Sequence, residues 1–154
     1  MAVRGDFAEL ARLRQQLKAG ATGELKTRLL KAAAAEARTQ VQLGFREQVD
    51  PSGTAWAPLL HREGMILRKT ARMANSFTAT PTGTGFSVGT NVKYAEFHQN
   101  GSRGRRSKSG RASRGTGAGL PKRQMVPEGQ LTPRWSQAID AAVSVAFRKF
   151  FSSK

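Results

Sequence analysis

Apolar residues recur at helical spacing in the first third of the chain. Between residues 23 and 48, a segment rich in Ala, Leu, Lys, Arg, Gln and Glu carries one apolar stripe. The stripe consists of Leu30, Ala34, Ala37, Val41 and Phe45. A shorter apolar stripe follows a capping box formed by Asp6 and Glu9, and it ends near Gly20. The pattern therefore predicts two helices within residues 1–49.

The pattern changes to an alternation of period two in the centre of the chain. Phe77 and Ala79 alternate with polar residues, and Phe86 and Val88 do the same after a Pro- and Gly-containing stretch at 81–85. Two short alternating segments separated by such a stretch are typical of a β-hairpin.

Shorter signals complete the middle of the chain. A Pro-Gly turn at residues 50–53 precedes a short helix predicted over about 65–74, and residues 90–98 predict a turn with one or two helical turns. Residues 120–126 favour a further strand, and Pro121 and Pro127 would be accepted only at a sheet edge or at the strand ends.

The end of the chain predicts a long helix. Thr132 is a suitable N-cap, and Pro133 suits the first helical position. The apolar positions that follow at helical intervals are Trp135, Ile139, Val143, Ala146 and Phe150. Val145, Phe147 and Phe151 widen this surface beyond what the core of a small monomer needs, so we expect part of it to face another chain.

These elements indicate an α+β fold in a single domain covering all 154 residues. It comprises long N-terminal helices, a small antiparallel sheet with a central hairpin, a long basic loop and a C-terminal helix. The predicted parts are an N-terminal helical part at 1–49, an α+β core at 50–99 and 120–131, a flexible basic loop at 100–119, and the C-terminal helix at 132–151.

The charge of the chain points to a polyanionic partner. It has 26 Lys and Arg against ten Asp and Glu, a net charge of +16, which suits nucleic acid, a membrane surface or an acidic protein. Residues 100–123 carry eight basic residues and no acidic one. This basic insert is either a solvated loop or a phosphate contact without base readout, because it has no aromatic side chain to stack on bases. The candidates for contact with DNA or an acidic partner are Arg103, Arg105, Arg106, Lys108, Arg111, Arg114, Lys122 and Arg123.

Several classes of protein are disfavoured by what the sequence lacks. There is no cysteine, which removes disulfides and thiolate metal ligands. Residues 1–17 are charged and have no apolar stretch of the signal-peptide type, and no apolar run is long enough to span a membrane. The insert has no apolar face that would enter a membrane surface. We expect a soluble protein made in the cytoplasm.

The stretch YAEFHQNG, residues 94–101, comes nearest to a catalytic pattern, because His98 stands close to Glu96 and Gln99. A nucleophilic site needs a base beside Ser, Thr or Cys and a third group to orient that base. His61 is the only other histidine, and the chain has no GxSxG, HExxH or Walker motif. We expect no enzyme activity, no cofactor and no metal, and a structural role for His98.

Four short motifs follow one another in the chain: DPSGTAWAPL, ILRKTARMANSF, VGTNVKYAEFHQNG and, after the basic insert, LPKRQMVPE. This series resembles the phage virion morphogenesis and tail-completion family, typified by the Mu-like tailed phages, over roughly residues 50–130. The family plan has a W-x-PL segment, a TG dipeptide, a VGT-x-x-x-YA-x-x-HQ-x-G segment and an RPFL segment. Thr70-Ala71 stands here in place of TG, and residues 123–126 read RQMV in place of RPFL.

The resemblance implies a non-enzymatic structural protein of the phage neck or tail-proximal end, in tail completion or head–tail joining. It implies a homo-oligomeric ring, generally six-fold, with other neck, connector and tail proteins as partners, assembled in the bacterial host cytoplasm and located in the virion. The residues predicted to face a neighbour are Tyr94, Phe97, His98, Gln99, Trp135, Phe147 and Phe151. The insert would contact duplex DNA or a neighbouring ring, and no membrane. The alternative is a basic nucleic-acid-binding or packaging accessory protein.

Overall fold

The computed structural model describes residues 23–59, 63–102 and 119–152, together with Gln15 and Lys18. Apart from these two residues, which are helical, the predicted helix at 6–20 lies outside the described residues. So does most of the predicted basic loop, residues 103–118.

The described chain contains four α-helices and one two-stranded antiparallel sheet, which confirms the predicted α+β class. In chain order the elements are α1 (Glu24–Glu47), α2 (Arg72–Ser76), β1 (Thr78–Pro81), β2 (Phe86–Gly89), α3 (Ala95–Asn100) and α4 (Pro133–Ser152).

Helix α1 buries the stripe that its sequence predicts. Ala34, Ala37, Val41 and Phe45 are all at most 2 % exposed, and Leu30 is half-buried. Small side chains on this stripe allow neighbouring elements to approach the helix closely. At its C-terminal end, the left-handed Gln48 (φ 59°) donates its backbone N–H to the Gly44 carbonyl and stops the helix.

Helix α4 packs antiparallel against α1, which confirms the predicted C-terminal helix. At one end of the pair, Arg134 of α4 forms an ion pair of 2.6 Å with Glu47 of α1. At the other end, the guanidinium of Arg28 lies 5.2 Å from the ring centroid of Phe150. Hydrophobic burial holds the middle together, because Ile139 belongs to the same buried cluster as Val41.

The central hairpin also forms as predicted. Ala79 of β1 is paired with Val88 of β2, and Thr82 donates its backbone N–H to the Gly85 carbonyl across the loop. Phe77, just before β1, is buried against Phe45 of α1 with ring centroids 5.7 Å apart. The sheet therefore lies with its apolar face on α1.

Two predicted elements were wrong. The short helix expected over 65–74 begins only at Arg72, because Ala71 takes a left-handed conformation (φ 53°) that interrupts a right-handed helix. The strand expected over 120–126 is absent: within the described residues this segment belongs to no strand. Its backbone groups bond to α3 and to side chains, as the next section describes.

Candidate interaction surface

The stretch YAEFHQNG folds as α3 and a glycine turn. Ala95 is buried in the core, which fixes the face that the helix turns inward. Tyr94 and Phe97 consequently point outward, with 43 % and 53 % of their surface exposed. Gly101 then takes a φ of 75°, a conformation that favours glycine, and ends the helix.

Gln99 connects α3 to the segment after the basic insert. Its side-chain oxygen accepts the backbone N–H groups of Met125 (2.8 Å) and Val126 (3.2 Å). Its amide nitrogen donates to the Val126 carbonyl (2.8 Å) and to the carboxylate of Glu128 (3.3 Å). The side chain thus bonds to the backbone of Met125 and Val126 as a partner strand would. In the described structure, the side chain of Gln99 bonds to the backbone of its own chain.

His98 of α3 lies beside the same segment, but its side chain makes few contacts. Its backbone carbonyl accepts the N–H of Arg123 (2.7 Å), and its ring lies perpendicular to the Tyr94 ring with the two centroids 6.3 Å apart. The imidazole Nδ1 is buried without a hydrogen-bond partner in the described structure. Burial, and secondarily the charge of Arg123, lower the pKa of His98. At neutral pH this lowered pKa favours the uncharged imidazole, and no carboxylate or hydroxyl among the described residues bonds to it.

Arg123 has an internal role, which corrects its assignment to a DNA-contacting surface. Only 4 % of the residue is exposed. Its guanidinium donates to the carbonyls of Ala57 and Pro58, at 2.9 Å each. A buried cation is retained where such oxygens replace its hydration. Arg123 therefore joins the irregular segment around Trp56 to the end of the insert and lies beyond the reach of a polyanion.

The two ends of the basic insert are joined to each other by hydrogen bonds. Ser102 donates its backbone N–H to the Leu120 carbonyl (2.9 Å), and its hydroxyl accepts the Leu120 N–H (3.2 Å). Lys122 is half exposed and pairs with Glu128 at 3.2 Å. The other six predicted contact residues lie outside the described residues, namely Arg103, Arg105, Arg106, Lys108, Arg111 and Arg114. The insert leaves and re-enters the fold at one closed stem.

Helix α4 presents part of its apolar surface to solvent. Phe147 and Val145 are 46 % and 50 % exposed, and the rings of Phe147 and Phe151 are 4.8 Å apart. Trp135 is different, because it is only 3 % exposed and belongs to the core. Its assignment to a subunit interface is therefore corrected: the first turn of α4 faces inward, whereas Val145 and Phe147 in its second half are exposed.

A groove of about 380 Å³ lies between β2, α3 and the segment after the insert. Val88, Val92, Glu96 and Met125 are among the residues that line it. Sequence patterns did not indicate this groove, because it arises where three short elements meet. In the part of the chain that the structure describes, no group of three or more His, Cys, Asp or Glu is placed to hold a metal ion. None of the described helices has the length and apolarity needed to cross a membrane.

The fold is a small α+β domain with exposed apolar side chains on two helices and a basic insert whose ends are hydrogen-bonded to each other. Comparison with protein families matches residues 7–145 to the phage virion morphogenesis family. This chain belongs to that family, which gives it a structural or assembly role in a phage virion. Neither the curated proteins nor the solved structures contain a significant match to the chain.

Proposed function

We propose that this chain is a structural subunit of the phage neck or tail-proximal end, in tail completion or head–tail joining. In this role it forms a ring, six-fold in the simplest case, that connects the head connector to the tail. The observation that carries the proposal is the family match over residues 7–145. The exposed rings of Phe97 and Phe147 support it, because large apolar side chains left on a small subunit favour contact with another chain.

We further propose that the subunit is not an enzyme. The support is the environment of His98, whose imidazole is neutral and has neither an acid to orient it nor a nucleophile bonded to it in the described part of the chain. The residues around it stabilise the fold, since the side chains of Gln99 and Arg123 both bond to backbone groups.

The ring is tested by solution mass and by imaging. We expect the purified chain to give a ring-shaped oligomer by negative-stain microscopy, or to co-purify with tail tubes and localise to the virion neck by labelling. A chain that stays monomeric at all concentrations and is absent from the neck of assembled particles would contradict the proposal.

The basic insert is proposed to contact the DNA that passes through the ring, or an acidic face of a neighbouring ring. Each neutralised phosphate contributes about 0.9 to the slope of log affinity against log salt concentration. Replacing Arg103, Arg105 and Arg106 by Ser should therefore lower that slope for duplex DNA by about 2 to 3.

The control removes the same charge elsewhere. A control variant also lowers the net charge by three, by replacing with Gln three exposed residues of α1, namely Lys26, Lys31 and Arg38. This control should leave the slope nearly unchanged if the insert makes the contact. Equal effects of the two variants would show that only the overall charge matters, and binding that is insensitive to salt would exclude phosphate contact.

The second candidate is a basic nucleic-acid-binding or packaging accessory protein without a ring. The net charge of +16 favours it. A monomer or dimer that binds duplex DNA tightly and is missing from purified virions would support this alternative.

A further inference from the structure

We propose that this chain has a second phosphate-binding site, in a cleft between α1, α2 and the loop that precedes α2. The α1–α2 cleft has a volume of about 310 Å³, and Arg46 of α1 and Arg68 of the loop line it. The ligand is the sugar–phosphate backbone of duplex DNA. This inference rests on the DNA contact in the proposed function and adds a contact that is separate from the basic insert.

The lining of the cleft supplies hydrogen-bond donors and no negative charge. Gln42 and Asn75 contribute side-chain amides, and the remaining lining residues are Thr39 and three apolar ones. A guanidinium carries five N–H donors in a planar fork that matches the oxygens of a phosphate, and each amide adds two donors. The cleft therefore suits an anion with several acceptor oxygens.

Nearby carboxylates do not neutralise the two arginines. Glu47 follows Arg46 in the chain, but its carboxylate pairs with Arg134 at 2.6 Å. Among the described residues, neither Arg46 nor Arg68 takes part in an ion pair. Arg68 donates to the thioether sulfur of Met65 at 3.9 Å, and sulfur is a weak acceptor that a phosphate oxygen would replace. Two such cations beside an uncharged cleft concentrate positive potential there.

The basic residues next to the cleft favour a polyanion over a single acidic side chain. Lys69 adjoins Arg68, and Arg72 begins α2; both are exposed, and neither belongs to an ion pair in the described part of the chain. One carboxylate needs one guanidinium, whereas a nucleic-acid strand presents a row of phosphates that several cations neutralise together. The aromatic ring in the lining, Phe45, is buried and cannot stack on bases. The contact is therefore with the DNA backbone and carries no sequence preference.

The test is the salt dependence of binding to a fluorescently labelled duplex, measured by anisotropy. Arg46→Gln and Arg68→Gln are combined in the full chain. Each lost phosphate contact removes about 0.9 from the slope of log affinity against log salt concentration, so the double variant should lower the slope by about 2. Its affinity at about 0.1 M salt should fall about tenfold or more.

The matched control removes two charges from α4. Arg148 and Lys149 are exposed and, within the residues that the structure describes, take part in no ion pair. Replacing both by Gln lowers the net charge by the same amount and should change the slope by less than about 0.5. Equal losses in the two double variants would overturn the inference, because overall charge alone would then explain them.

A conservative variant separates lost binding from lost folding. Arg46→Lys combined with Arg68→Lys keeps both charges and should recover most of the slope, because counterion release depends on charge. Its affinity should stay below that of the parent chain, since lysine lacks the planar fork. A Lys variant that bound DNA no better than the Gln variant would overturn the contact with phosphate.

Two further probes separate duplex DNA from other anions. Calorimetric titrations use inorganic phosphate in one series and a short polyglutamate peptide in the other. If the Gln variant lost only phosphate binding, the cleft would be a small-anion site. If it lost only peptide binding, the cleft would suit an acidic protein. Either result, with DNA binding unchanged, overturns the inference.

The insert variant, with Ser in place of Arg103, Arg105 and Arg106, is measured in the same series. Combining it with the Gln variant of the cleft should lower the slope by about 4 to 5 in total. A lower slope in the insert variant together with an unchanged slope in the cleft variant would overturn this inference and leave the proposed DNA contact standing. An unchanged slope in both variants would refute both contacts, whereas ring formation is decided separately by microscopy.

Discussion

Replacing Gln99 by Met tests the main connection between α3 and the segment after the insert. Methionine is unbranched and of similar length, so the substitution changes hydrogen bonding more than packing. It leaves the backbone N–H groups of Met125 and Val126 without their acceptor, and the Val126 carbonyl without its donor. Met125 is buried, whereas Val126 is partly accessible, so water can replace only some of these bonds.

The expected loss follows from these partners. A buried backbone group left unsatisfied costs about 1–3 kcal/mol, and a group that water reaches costs less. We therefore expect Gln99→Met to lower the free energy of unfolding by about 2–4 kcal/mol. For a chain of this size, about 2–4 °C of Tm corresponds to each kcal/mol, so Tm should fall by roughly 5–15 °C.

Urea denaturation followed by circular dichroism measures this change, and a thermal scan provides the second reading. The matched control is Gln42→Met, the same chemical change on the exposed face of α1, which should stay within about 0.5 kcal/mol of the parent chain. If Gln99→Met lost no more than Gln42→Met, the bonds to Met125 and Val126 would not hold the segment, and the reasoning would be refuted.

Three further predictions concern the same region. Arg123→Met should lower the free energy of unfolding by about 2–4 kcal/mol, since the carbonyls of Ala57 and Pro58 lose a charged donor held by a buried residue, and Arg123→Lys should restore only part of it. Urea unfolding measures the change, and full rescue by Lys would contradict the contact of one guanidinium with both carbonyls. Gly101→Ala should cost about 1–3 kcal/mol because of its positive φ and a Cβ 3.2 Å from the Leu120 carbonyl, whereas Gly83→Ala, which meets nothing within 4 Å, should be nearly neutral. His98 has a lowered pKa when folded, so the unfolded chain takes up its proton first. The contribution of His98 to the free energy of unfolding should be complete above pH 6.5 and should decrease as the pH drops below it. In urea titrations between pH 7 and 5, the His98→Gln variant should lose less stability than the parent chain. Identical profiles of the two chains would contradict burial of the imidazole.

Periodic elements were predictable because one simple rule governs them. The stripe from Leu30 to Phe45 fixes both the existence of α1 and the face that it buries, and the alternation around Ala79 and Val88 fixes the hairpin in the same way. Each of these patterns repeats over several residues, so the burial of one face follows from the sequence alone.

Elements that depend on a single distant partner were not predictable. Residues 120–126 have strand-like composition, but Gln99 makes the backbone bonds of Met125 and Val126, and the His98 carbonyl accepts the N–H of Arg123. Arg123 looks like one more cation of a basic run, and only the carbonyls of Ala57 and Pro58, more than 60 residues away in the chain, turn it inward. Trp135 was assigned to a subunit interface because it lies on the wide apolar surface of α4, and the structure shows that the core buries it.

The bonds between Ser102 and Leu120 have a consequence for changes in the insert. Because the stem is closed by its own backbone and hydroxyl bonds, the fold on either side of it is indifferent to the number of residues in between. Doubling the length of a flexible loop costs only about 0.6 kcal/mol of closure entropy. The fold should therefore accept a longer, shorter or differently charged insert between these two residues with little change in its free energy of unfolding.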